Sequence, residues 1–98
     1  MLSANCGKFQ HISWVSNWAP DCDFPGNDFQ VAKTNMHDCS PLCSRTHGCT
    51  NFLWRPSNGG ECLLKNGLKG KSEAIKIWSH FGCICGVVVS SVCTQGYK

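Results

Sequence analysis

Apolar and polar residues alternate with a period of two along most of this chain, and the alternation marks out short strands. Phe9 to Val15 places Ile12 and Trp14 on one face and Phe9, His11 and Val15 on the other, and Pro20 ends that segment. Phe29 to Lys33 reads as a second short strand. Cys49 to Arg55 reads as a third, with Phe52 and Trp54 on one face; Asn58-Gly59-Gly60 signals a turn, and Glu61 to Lys65 is the returning strand of a hairpin. Ala74 to Ser79 alternates for a few residues. Phe81 to Val89 is a more apolar strand in which Cys83 and Cys85 point to the same face.

One stretch departs from this period. Cys39 and Cys43 stand four apart, so on a helix their sulfurs lie one turn above each other on one face. Asn35 or Asp38 can serve as N-cap, Pro41 suits a first turn because its missing N–H has no partner there, and Gly48 is placed to close the helix in a left-handed conformation. The expected unit is a short helix stapled to a hairpin. Asp21 to Asp28 is rich in turn formers, with a tight turn at Pro25-Gly26-Asn27-Asp28, and Lys65 to Ser72 reads as a loop.

Composition changes the picture in one respect, the cysteines. A chain of 98 residues allows one domain with a limited core, and 9 cysteines imply that covalent staples supplement packing. The expected compartment is oxidising, hence secreted or extracellular, because cytosolic thiols are kept reduced. Charged residues make up 15%, below the roughly 25% of an average domain, and the net charge is +3. Lys65, Lys69, Lys71 and Lys76 cluster around a Gly-rich turn, which reads as a solvated loop and not as a nucleic-acid patch. Met1 to Cys6 has neither the basic start nor the apolar run of a signal peptide, and no stretch approaches the roughly 18 apolar residues of a membrane span. No Asn-x-Ser/Thr acceptor is present, so N-glycosylation is not expected.

The motifs together resemble a known family. Trp18 to Asp28 reads W-x3-C-D-F-x-G-N-D, a helix with C-x3-C follows, then C-T-x-F-x-W, then G-G-x-C-x-L-K-N-G, and finally C-G-V-V at Cys85 to Val88. This order resembles the PAN/apple domain, in the form found in invertebrate and oomycete extracellular proteins. The likeness covers about Trp18 to Val88. It implies an α+β fold, one short helix packed on an antiparallel sheet of about five or six strands, disulfide-stapled. It also implies the pairs Cys22–Cys85, Cys39–Cys62 and Cys43–Cys49, whereas spacing alone leaves fifteen pairings of six cysteines open. The single domain expected over 1–98 has its core at 18–88, an N-terminal strand at 5–17 and a tail at 89–98. Two features depart from the pattern: Asn51 stands where many such relatives have His, and Cys6, Cys83 and Cys93 are extra.

Catalysis and metal binding find little support in these residues. Cys83-x-Cys85, or Cys39-x3-Cys43 with His37 or His47, lacks the matched second half of a structural zinc site, and the resemblance ties up the cysteines nearest the histidines. The six acidic residues are scattered singly. No enzyme, cofactor or metal is expected. Binding remains, and 4 tryptophans offer flat apolar faces suited to sugar rings or protein interfaces. Trp14 and Trp54 sit in alternating strands and are expected in the core; Trp18 and Trp78 lie at strand ends, where exposure is expected. Asn27, Asp28, Asn51 and Arg55 supply polar groups for a ligand, although Asn27 and Asp28 also suit turn chemistry alone.

Three functional expectations follow. The resemblance implies an extracellular, non-catalytic recognition or adhesion module whose partner is a glycan or an extracellular protein. The odd cysteine count, with a Val-rich final strand as an edge, suggests instead a self-assembling subunit of a fibre or matrix, a homo-oligomer or polymer linked through Cys6, Cys83 or Cys93. Relatives from blood-feeding animals suggest a secreted inhibitor of a host protease or adhesion receptor.

Overall fold

The computed structural model describes residues 12–67, 73–77 and 82–88. Among them, β1 (Trp18–Pro20), β2 (Cys22–Asp23) and β3 (Asp28–Lys33) precede the helix α1 (Met36–Arg45). The hairpin β4 (Asn51–Arg55) and β5 (Glu61–Lys65) follows, then β6 (Ile75–Lys76) and β7 (Ile84–Val87). The fold is α+β: one helix on an antiparallel five-stranded sheet, order β1-β7-β4-β5-β3, with a two-stranded sheet β2-β6 beside it.

The helix begins where Asn35 turns its side-chain oxygen back to accept from the N–H groups of His37 (2.9 Å) and Asp38 (3.0 Å), a cap contributing about 1 kcal/mol. Asp38 in the first turn and Arg45 in the last suit the helix dipole. Pro41 stands inside the helix, past the first turn, so its missing N–H leaves the His37 carbonyl without an intrahelical donor on an exposed face. Gly48 has a positive φ of 87°, but the helix ends earlier, at a Thr46 cap in extended conformation.

Side chains alternate across the sheet into two cores. Toward the helix lie Cys39, Cys43, Cys49, Phe52, Cys62, Leu64 and Ile84; toward the small sheet lie Ala19, Cys22, Phe24, Leu53, Leu63, Ala74, Cys83, Cys85 and Val87. Phe24 and Phe52 are essentially fully buried, each burial stabilising by roughly 1.5–3 kcal/mol. Disulfides reinforce each layer. Cys39–Cys62 and Cys43–Cys49 fasten the helix to the hairpin, and Cys22–Cys85 fastens the small sheet to β7, the same three pairs named above.

Gly86 shapes the helix-side surface. The register places Trp18, Gly86, Phe52 and Leu64 in one cross-strand row, and a Cβ at Gly86 would stand 2.3 Å from the Phe52 ring and 2.8 Å from the Asn17 carbonyl. The missing side chain lets Phe52 lie across β7.

Several expectations are corrected. Of the N-terminal strand, residues before Ile12 lie outside the described residues; Ile12 to Trp14 form no strand, and Val15 makes only a single bridge to Trp18, because Ser16 at φ 61° turns the chain back at once. The Val-rich final strand is not an edge. β7 pairs with β1 on one side and β4 on the other, so that among the described residues β1 and β3 are the outermost strands. Lys65 is not a solvated loop lysine: it is 2% exposed, and its ammonium meets Asp28, lies 3.4 Å from the Gly26 carbonyl and 3.7 Å from Asp23. Lys69 and Lys71 lie outside the described residues.

Candidate groove on the helix side of the sheet

A groove opens where β1 ends, β7 begins and β4 ends. The register sets Pro20, Ile84 and Trp54 side by side in one row, and Trp18 stands two residues along β1 on the same face. Met36, the first helical residue and 40% exposed, and Val15, 51% exposed, line it as well. The groove holds about 510 Å³ and its walls are almost wholly carbon. A smaller recess of about 170 Å³ shares Trp18, Met36 and Ile84 and adds Phe52, His37 and Ser40.

The walls are fixed from behind. Trp54 donates its indole N–H to the Thr34 carbonyl at 2.9 Å, so its ring is held in one pose with its donor already engaged. The chain before Trp18 is held by Asn17, whose side-chain N–H groups reach the Val87 carbonyl at 2.7 Å and the Ser40 hydroxyl at 3.4 Å. The Trp18 and Val15 backbones bond each other at 2.7 and 3.3 Å.

Cys83, just before β7, borders the groove, and its free thiol is buried with the core toward the small sheet. Burial pushes its pKa above the ordinary value of 9.0, and the nearby Asp23 and Asp21 carboxylates add to the rise. It is 6% exposed, which withdraws it from the surface where a second chain would meet it. Cys6 and Cys93 lie outside the described residues.

The other residues singled out above do not converge on the groove. Asn27 holds a left-handed φ of 65°, and its carbonyl accepts from the Asn66 N–H at 3.0 Å. Asp28 is paired with Lys65 on β3, at the sheet edge opposite Trp18. Asn51 is fully buried at the start of β4, where its side-chain oxygen accepts from the Thr50 hydroxyl at 2.7 Å. Arg55 is paired with Glu61 across the hairpin at 2.8 Å. Trp78 lies outside the described residues. Trp14 is half-buried against the core toward the small sheet, its ring 6.5 Å from that of Phe24.

Met36, Val15, Ile84 and Pro56 line the groove without having been singled out from the sequence. Only Met36 carried a signal, an apolar side chain at the first position of a helix whose buried face is set by Cys39 and Cys43. Among the described residues no group of three His, Cys, Asp or Glu side chains converges as a metal site would, and no helix is long and apolar enough to cross a membrane. No family model matches the chain, and no curated protein matches it in sequence.

Proposed function

We propose that this chain is a non-catalytic recognition module of the PAN/apple kind, acting outside the cell and seating apolar side chains of a protein partner in the groove at Trp18 and Trp54. The observation that carries this reading is the groove itself, a preformed apolar concavity walled by two tryptophans and an exposed methionine. Such anchors in desolvated pockets contribute most of the energy at protein interfaces. Three disulfides in a small domain support an oxidising compartment.

Between a protein and a glycan, the walls favour the protein. Sugar hydroxyls need paired donors and acceptors beside the stacking face, and here the Trp54 donor is engaged internally, Asn27, Asp28 and Arg55 are held in turns and ion pairs, and Asn51 is fully buried. A displayed peptide library selected on the oxidised protein, run beside a glycan array, tests the reading. Selected peptides are expected to share large apolar residues and to bind at least about tenfold more weakly to Trp18→Ala and Met36→Ala variants whose disulfides and circular dichroism are unchanged. Glycan binding that ignores both substitutions would overturn the reading.

A further inference from the structure

Asn-Gly occurs twice in the chain, at Asn58-Gly59 and Asn66-Gly67. In this dipeptide the backbone nitrogen that follows the asparagine can attack the side-chain carbonyl carbon, because glycine has no Cβ to shield it. Asn58 is exposed and holds a left-handed φ of 53° in the turn between β4 and β5. At Gly59 a Cβ would meet nothing within 4 Å, so the peptide between the two residues has room to swing toward the side chain.

The strands bring a cation to this peptide. Lys33 at the end of β3, Glu61 at the start of β5 and Arg55 at the end of β4 form one cross-strand row. The Thr34 N–H, bonded to the Gly60 carbonyl at 3.2 Å, holds the end of β3 against the turn. From there the Lys33 ammonium donates to the Asn58 carbonyl at 2.8 Å. That carbonyl belongs to the same peptide unit as the Gly59 nitrogen. When the nitrogen loses its proton, the negative charge is shared with the carbonyl oxygen, where the ammonium stabilises it. The side chain under attack is also held, since Asn58 Nδ2 donates to Glu61 Oε2 at 3.2 Å.

We propose that Asn58 is a site of self-modification, at which Lys33 promotes attack of the Gly59 nitrogen on Asn58 Cγ. The Gly59 N–H gives its proton to water or hydroxide, the N–Cγ bond forms and the Cγ–Nδ2 bond breaks; Nδ2 leaves as ammonia, taking its third hydrogen from water. Water then opens the cyclic imide at either carbonyl, which yields aspartate or, with the chain rerouted through the side chain, isoaspartate. Either product replaces a donor to Glu61 by a carboxylate, so an attraction across the turn becomes a repulsion. Isoaspartate also lengthens the turn backbone by a carbon, two residues before the tight fit of Gly60 against the Thr34 carbonyl.

Ageing the oxidised protein at mildly alkaline pH, then mapping its peptides by fragmentation that separates isoaspartate from aspartate, tests the proposal, with Asn66 as the internal reference. Isoaspartate is expected at residue 58. Lys33→Met is expected to slow its formation relative to residue 66 at least about threefold, set well below the loss of an oxyanion donor in a dry active site because this lysine is exposed. Lys33→Arg keeps a charged donor and is expected to restore the rate. In reduced, denatured chain the lysine is no longer placed, and Lys33→Met is expected to change nothing. Disulfide mapping confirms that the variants fold. A native parent without isoaspartate at residue 58 overturns the proposal. So does a ratio of residue 58 to residue 66 that Lys33→Met leaves unchanged, a slowing that Lys33→Arg fails to restore, or the same slowing in denatured chain.

Discussion

Trp54 and Thr34 are joined by a 2.9 Å hydrogen bond from indole N–H to backbone carbonyl, and this contact ties the hairpin to the residue before the helix cap. It depends on Gly60, where a Cβ would stand 2.3 Å from that same carbonyl oxygen and 3.1 Å from the Trp54 ring. One bare position therefore sets both the approach of the helix and the pose of a groove wall.

Replacing Gly60 with alanine is expected to destabilise the protein by roughly 2–4 kcal/mol, combining overpacking with strain at its φ of 115°. Gly59→Ala is the control. Its φ is 83° but nothing lies within 4 Å, so only strain of about 1–2 kcal/mol applies. Denaturant unfolding of the oxidised variants measures both, and equal losses would refute the role of the Thr34 contact.

Lys65 joins β5 to the start of β3 through Asp28 and to the end of β2 through Asp23. Lys65→Met leaves the half-buried Asp23 without its cation, and a loss of about 2 kcal/mol is expected, set below the 3–5 of a wholly buried pair because Asp28 is 42% exposed. Adding Asp28→Asn is expected to recover part of that loss. Thermal unfolding of the single and double variants decides.

Glu61 titrates below its ordinary value of 4.5, held there first by the hydrogen bond from Asn58 and then by that from Arg55. A carboxyl depressed in the folded state adds stability that is complete above its unfolded pKa and fades as pH falls through the folded one. Acid unfolding curves of Glu61→Gln should therefore differ from the parent near neutral pH and converge on it below pH 4.5. A difference that persists unchanged into strong acid would count against this assignment.

Cys83 behaves in the opposite sense. Its raised pKa leaves little thiolate at neutral pH, so iodoacetamide should modify it more slowly in the native protein than in unfolded chain, as read by peptide mapping. Stability contributed by keeping the thiol neutral is present below its unfolded value near 9.0 and is lost as pH rises through the folded one.

Local chemistry was legible in the sequence where a few neighbouring residues decide it. The hairpin around Asn58-Gly59-Gly60, the shared face of Cys39 and Cys43, and the facing of Phe52 with Trp54 all follow from turn chemistry and period. The helix cap was legible as a pair of choices; Asn35 prevails because its oxygen reaches two N–H groups while Asp38 lies inside the first turn. What depends on distant pairing was hidden. The position of β7 between β1 and β4 rests on Trp18 to Pro20, too short a segment to announce itself by alternation. Lys65 looked like its neighbours in a basic loop because the carboxylates that surround it belong to residues some forty positions earlier. The groove was half visible: Trp18 and Trp54 stood out by type, whereas Ile84, Val15 and Pro56 contribute only through where the sheet brings them.

The interior place of β7 also sets the order in which this molecule can come together. The helix and the β4–β5 hairpin are nearly local in sequence and can collapse early, held by Cys39–Cys62 and Cys43–Cys49. Beyond the bridge to Val15, β1 has no partner among the described residues until residues 84–87 arrive, the better part of the chain later. During synthesis, Trp18 therefore waits with its apolar face uncovered while the rest of the domain is made, and the groove is completed last. A chain ending before β7 would keep a stapled helical hairpin and lose the groove altogether.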